Sequence, residues 1–258
     1  MVNKIINLGN TCAINSLLQC ITTCKPNITL FDKPKDNTFT RALFELLHIL
    51  QIYDDKTIKP TNFLNQLYST FSSFQPRQQL DSQEIWILLC NEVFNNTAVS
   101  IETNKSFKSN IHKIAFEQIS KHNNNKTSIW NDLFQGVILQ TLICNNCKKK
   151  KFIFETFYCI SLNLGESIIE MLKEYVSKVT TDEIDCDNCK KKSKHDKYIK
   201  FYKLPKYLII SLNRYNNIGQ KLNFKVNINK NIIFINNILY DNNNKIELNL
   251  FSAINHYG

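Results

Sequence analysis

Apolar positions repeat at helical intervals through the N-terminal part of the chain. Ile14, Leu17, Leu18 and Ile21 fall at i, i+3, i+4 and i+7 directly behind Cys12, the spacing of one buried helix face. Leu43, Leu46, Leu47 and Leu50 repeat that pattern. Leu64, Leu67, Tyr68 and Phe71 do so again behind Pro60 and Thr61, a helix-start signal. A fourth helix is predicted from Asp81, with Ile85, Leu88 and Leu89 as its apolar face. Asn123 to Asn125 read as a polar loop.

Further along, the period changes from helical to two. Leu208, Ile210 and Leu212 alternate with their neighbours in YLIISLNRY, which predicts a strand. Val226 and Ile228 alternate in the same way, as do Leu248, Leu250 and Ile254. Asn242 to Asn244 mark a loop tip. Helices followed by strands indicate an α+β fold.

Composition narrows the class without naming a function. The chain has 258 residues, 43% hydrophobic and 21% charged, which excludes a disordered polypeptide. Only 5 Gly and 5 Pro are present, so collagen-like and low-complexity classes are excluded too. The length suits one large domain or two small ones. The net charge of +10 suits nucleic acid, a membrane surface or an acidic partner, or else a solvated lysine surface. Much of the excess is local: Lys148 to Lys151, and Lys190 to Lys192 with Lys194, each follow a cysteine pair. The opening MVNKIINLGNTC is no signal peptide, and no apolar run reaches membrane-spanning length. An intracellular protein, cytoplasmic or nuclear, with reduced thiols is expected.

Nine cysteines in such a compartment point to metal binding or catalysis. Cys144-Asn-Asn-Cys147 and Cys186-Asp-Asn-Cys189 form two C-x-x-C pairs, the donor set of a tetrahedral structural zinc. Cys12 opens a predicted helix, where unpaired N–H groups and the helix dipole favour thiolate. Gly9 permits a tight turn before it, and the Asn7 side chain can donate to an oxyanion near the sulfur. Asp81-Ser-Gln-Glu84 is a capping-box pattern, which would stabilise a helix without any further role.

The segment INLGNTCAINSLLQC resembles the cysteine box of the ubiquitin-specific proteases, a papain-like family of deubiquitinases. The match includes Asn7, Gly9, Asn10, Thr11, Cys12, Asn15, Ser16, Leu18 and Gln19, and departs at Ala13 and Ile14. The resemblance implies that Cys12 is the nucleophile and that Asn7 lines the oxyanion hole. Gln79-Leu80-Asp81-Ser82-Gln83-Glu84 resembles the family's second box. It implies that Gln79, Asp81 and Glu84 border the channel for ubiquitin's C-terminal tail, Asp81 foremost. The two cysteine pairs match the zinc site of the family's fingers, with Phe134, Gly136 and Phe157 around the first pair. Leu204-Pro205-Lys206 through Tyr215 resembles a palm strand, and Leu250 to Gly258 resembles the strand approaching the catalytic histidine.

These blocks imply one papain-like catalytic domain over 1–258. Its parts would be a helical thumb over 1–100, and an antiparallel β palm over 101–258 with zinc-ribbon fingers at about 140–200. In the family, Asn-His-x-Gly is followed by Gly-His-Tyr, whose histidine is the general base. Here Asn255-His256-Tyr257-Gly258 ends the sequence and His256 aligns with the first of those histidines, so a C-terminally incomplete domain without the family's base is expected, weak or inactive as it stands, with His256 as the substitute candidate. Three readings stay open at this stage. The first is a deubiquitinase that cleaves after ubiquitin's terminal glycine. The second is an inactive ubiquitin-binding pseudoprotease. The third, ranked last, is a basic zinc module that binds nucleic acid. Ubiquitin or ubiquitinated proteins are the expected partners, and no membrane is.

Overall fold

A computed structural model describes residues 3–24, 38–53, 55–102, 106–228, 230–234, 238–240 and 246–255. The chain divides into two compact units, Met1–Val99 with Thr127–Leu133 and Phe251–Gly258, and Ser100–Lys126 with Phe134–Leu250.

The first unit is helical. A short strand β1 (Lys4–Ile5) leads into α1 (Cys12–Thr23), followed by α2 (Thr38–Ile52), β2 (Thr57–Ile58), α3 (Thr61–Thr70) and α4 (Ser82–Thr97). All four helices read from the hydrophobic spacing form. Their inward stripes make one core, in which Ile14, Leu18, Leu43, Leu47, Phe63, Leu67, Trp86 and Leu89 are buried. Trp130 is also buried here; its indole donates to Cys90 Sγ at 3.3 Å, so its polar atom is satisfied as a buried one must be. β1 and β2 pair in parallel. The buried Asn3 ties them to α2: its amide donates to Leu50 O at 2.9 Å and its Oδ1 accepts from Lys56 N at 2.9 Å.

The short β3 (Val99–Ser100) and β4 (Lys126–Thr127) lie where the chain leaves and re-enters the first unit, and α5 (Asn110–His122) lies between them. After α6 (Ile129–Phe134) come the long strands β5 (Gly136–Cys144) and β6 (Lys150–Phe157), then β7 (Ile160–Asn163) and α7 (Ile168–Tyr175). β8 (Val179–Thr180), β9 (Ile184–Asp185), β10 (Lys192–Ser193) and β11 (His195–Lys203) follow. The main sheet runs β6-β5-β11-β8 and is antiparallel throughout. Gly136 sits opposite Phe157, whose ring would lie 2.1 Å from a Cβ at that position, so only glycine fits.

Two strand expectations are corrected. β12 (Ile210–Asn213) forms as read, but pairs in parallel with β7 rather than antiparallel. Val226 and Ile228 make no strand; Asn227 forms only an isolated bridge with Ser167. β13 (Asn231–Phe234) and β14 (Ile246–Asn249) form an antiparallel pair, with Leu250 and Ile254 beyond its end. The loop tip at Asn242 to Asn244 lies outside the described residues.

Candidate active site and metal centre

Cys12 is the first residue of α1 and is exposed. The chain reaches it through Gly9 and Asn10, both left-handed at φ 106° and 54°, a conformation open to glycine and tolerated by asparagine. Gly9 is also crowded, since a Cβ would lie 3.3 Å from Arg77 Cγ. Asn7 Oδ1 organises this turn by accepting from Gly9 N at 3.0 Å, Thr11 N at 3.1 Å and Thr11 Oγ1 at 3.1 Å. Backbone N–H donors can face only the oxygen of the amide, so the side-chain orientation is fixed. Its Nδ2 hydrogens are then the donors left for a ligand.

The start of α1 is open. Thr11 holds the N-cap position but gives no side-chain cap, and no acid lies in the first turn. Its hydroxyl instead accepts from Leu8 N at 3.2 Å. The first N–H groups of a helix have no partner within the helix, and here they belong to the turn that Cys12 opens. Two other residues of the same box have structural work. Asn15 Nδ2 donates to Ile6 O at 3.2 Å and Gln19 Nε2 to Asn3 O at 2.6 Å, which pins the segment before the turn against α1.

The start of α4 is closed. Asp81 is its N-cap and Oδ1 accepts from Gln83 N at 2.6 Å and Glu84 N at 3.4 Å. Glu84 lies in the first turn and favours the positive helix end. Asp81 therefore caps as its pattern suggested, and keeps its second carboxylate oxygen as acceptor capacity. Gln79 and Glu84 are exposed. Asn10 Nδ2 donates to Arg77 O at 2.6 Å, and Ser82 Oγ reaches Ala13 O at 3.5 Å. These contacts strap the cysteine turn to the segment that starts α4. At the other end of the chain Ser252 Oγ donates to Cys20 Sγ at 2.8 Å, which lays that segment against α1. His256 lies outside the described residues.

In the second unit the four paired cysteines converge. Their sulfurs all lie within 4.8 Å of one another. A tetrahedron of sulfurs about 2.3 Å from a zinc ion has edges of about 3.8 Å, and Cys147 Sγ and Cys186 Sγ stand 3.7 Å apart. The donor set and its spacing fit a metal ion. Each pair sits in the same knuckle. Lys148 N donates to Cys144 O and Lys190 N to Cys186 O, while Cys144 N and Cys186 N donate to Lys149 O and Lys191 O. The backbone N–H of Cys147, then that of Asn146, hold the Cys144 thiol down to about 6. The hydrogen bond from the Asn146 side chain holds the Cys189 thiol below its ordinary value.

Asn10 carried no reading beyond its place in the box, and Asn146 and Asn188 carried none. The signal for the latter two was present, because each stands immediately before the second cysteine of its pair. The tie from Asn10 had no local signal, since its partner lies 67 positions away.

Comparison with known proteins places the chain in a family. The chain is 26% identical over 226 residues to the probable ubiquitin carboxyl-terminal hydrolase 16 of Schizosaccharomyces pombe, covering 82% of this chain and 46% of that protein. It is 23% identical over 281 aligned positions to ubiquitin carboxyl-terminal hydrolase 2 of Bos taurus, covering 98% of this chain and 46% of that protein. The chain thus spans about half the length of these curated relatives. Among the described residues no helix is long and apolar enough to cross a membrane. The ubiquitin carboxyl-terminal hydrolase family profile matches residues 3–258, so the chain belongs to that family and has its papain-like cysteine-protease fold.

Proposed function

We propose that this chain is the catalytic domain of an intracellular deubiquitinase, a thiol hydrolase of the bond after ubiquitin's C-terminal glycine. The observation that carries this reading is the helix start at Cys12, an exposed cysteine with no side-chain cap before it and the oriented amide of Asn7 in the same turn. Deprotonated Cys12 Sγ attacks the carbonyl carbon. The oxyanion accepts from Asn7 Nδ2 and from the first N–H groups of α1. The C–N bond then breaks, the amine leaves with a proton, and water hydrolyses the thioester. The thiol proton needs an acceptor, and His256 is the candidate by its place in the sequence.

Asp81, with its spare oxygen, and the exposed Gln79 and Glu84 border the path of the substrate tail, whose basic groups suit carboxylates. Cys144, Cys147, Cys186 and Cys189 hold a structural zinc in fingers at about 140–200, within one domain of thumb (1–100) and palm (101–258). The zinc would cross-link the segments that carry the two cysteine pairs.

Labelling with ubiquitin that carries a C-terminal electrophile tests the proposal. An adduct on the parent chain and none on Cys12→Ser is expected. A folded chain that neither binds ubiquitin nor forms the adduct overturns it. Turnover of a ubiquitin–fluorophore conjugate by His256→Gln reads the base directly, because an unchanged pH profile removes His256 from the mechanism.

A further inference from the structure

Each metal knuckle reaches across to the other through an asparagine side chain. Asn146, in the first knuckle, donates its Nδ2 to Cys189 Sγ of the second at 3.4 Å. Asn188, in the second, donates its Nδ2 to Cys147 Sγ of the first at 3.6 Å. The two contacts are reciprocal: the residue before the second cysteine of one pair bonds the second cysteine of the other. We propose that Asn146 and Asn188 form a crossed pair of amide donors that sets how tightly the four-cysteine site keeps its metal.

The electrostatics give the pair its purpose. Four thiolates around a divalent cation leave two negative charges in excess. Lysines crowd the neighbourhood, but as flexible point charges in water they are screened. A side-chain N–H aimed at a sulfur is oriented, and removes electron density from that sulfur in particular. Donor groups outside the ligands commonly carry about tenfold to a hundredfold of metal affinity. Cys147 and Cys189 are the half-buried members of their pairs, whereas Cys144 and Cys186 are buried. The asparagines therefore serve the two sulfurs that water, protons and competing ligands reach first. Two further bonds cross between the knuckles, Asn145 N to Lys194 O at 3.0 Å and the exposed Lys151–Asp187 ion pair at 2.6 Å. These bonds align the knuckles without touching a sulfur, so the asparagines can be changed while that alignment stays.

This inference rests on the metal reading of the cluster, and the experiment separates the two. The full chain, loaded with Zn²⁺ or with Co²⁺ as a spectroscopic probe, is titrated with a chelator. The parent is compared with Asn146→Ala, Asn188→Ala, the double variant, and the isosteric Asn146→Asp and Asn188→Asp. Failure of the parent to bind either ion with thiolate-to-cobalt charge transfer overturns the metal reading itself. With binding established, each alanine variant is expected to lose about tenfold in affinity and the double variant about a hundredfold. Each aspartate variant, which keeps the shape but offers no donor, is expected to lose at least as much as its alanine counterpart. Aspartate variants within twofold of the parent would show that shape rather than donation matters, and would overturn the proposal. Far-UV circular dichroism of the metal-saturated forms confirms that each variant starts from the same fold.

Discussion

At Cys12 one exposed sulfur stands at a helix start whose first donors have no side-chain partner. At the knuckles four sulfurs stand among donors already committed, from the backbone N–H groups that lower Cys144 to the crossed amides on Cys147 and Cys189. The residue types are alike, and the difference lies in whether the polar groups around the sulfur are spent. Spent donors make a thiolate a good and unreactive ligand once a metal shares its charge. Open donors wait for charge that appears only during a reaction, where preorganisation is worth most.

The largest test exchanges the two roles. Cys12→Ser should lower turnover by about 10⁴-fold or more, with metal content and melting temperature unchanged. Cys186→Ser should do the reverse first: metal stoichiometry falls, and amide protection is lost in β9, β10 and the adjoining ends of β5 and β6. Metal binding contributes about 10 kcal/mol or more to folding in small zinc sites, so this loss should be large and local in hydrogen exchange. Retained metal and retained protection in Cys186→Ser would show that the cluster is no metal centre.

The cysteine turn offers the next test, because Asn10 combines a left-handed backbone with the 2.6 Å bond to Arg77 O. Alanine there loses a bond of about 1 kcal/mol and adds about 1–2 kcal/mol of backbone strain. Glycine loses the bond and carries a backbone entropy cost of about 0.5–1 kcal/mol, but no strain. Asn10→Ala should therefore drop kcat/KM for a ubiquitin conjugate by about tenfold or more, since about 1.4 kcal/mol is tenfold in rate, and lower the melting temperature. Asn10→Gly should show a smaller loss in both. Equal kinetics for Asn10→Ala and the parent would remove the strap from the account of the site.

What could be read in advance follows from where each signal resides. The four helices of the first unit were legible because each buries one stripe; on α2, Leu43, Leu47 and Leu50 are buried while His48 and Ile49 are exposed. The convergence of the paired cysteines was legible by spacing, whereas Cys12 and Asn7 were singled out by the resemblance of their box. β5 was not, since GVILQTLIC is buried or half-buried along its whole length and shows no alternation. Its state depends on β6 and β11, the latter more than fifty residues away in register. α5 was missed although Ile111, Ile114 and Ile119 share its inner face around the buried Ala115. They pack against Val137, Leu139 and Phe154, and charged and amide neighbours mask the stripe in sequence. Asp81 carried two readings at once, cap and tail ligand, and its two oxygens leave room for both.

That double role can be divided at Asp81. Asp81→Ala removes the cap and should cost about 1 kcal/mol of stability, together with any contact to the tail. Asp81→Ser keeps a capping oxygen but removes the carboxylate, so stability should stay near the parent. A higher KM for ubiquitin conjugates in Asp81→Ser then measures the carboxylate's share of substrate binding. A parental KM in that variant would leave Asp81 as a helix cap alone.

The smallest effect asks how alike the two knuckles are. Lys148 and Lys190 follow the second cysteine of each pair and are both left-handed, at φ 58° and 57°. A non-glycine residue there carries about 1–2 kcal/mol of strain, while glycine carries a backbone entropy cost of about 0.5–1 kcal/mol. Lysine to glycine at either position should thus stabilise the metal-loaded chain by at most about 1.5 kcal/mol. Lysine to alanine removes the same charge and keeps the strain, so the glycine–alanine difference in melting temperature isolates the backbone term. The same sign and size at both positions is expected from their matching geometry. A gain at only one would mean that the knuckles share a shape without sharing the load, and that the crossed asparagines act on unequal partners.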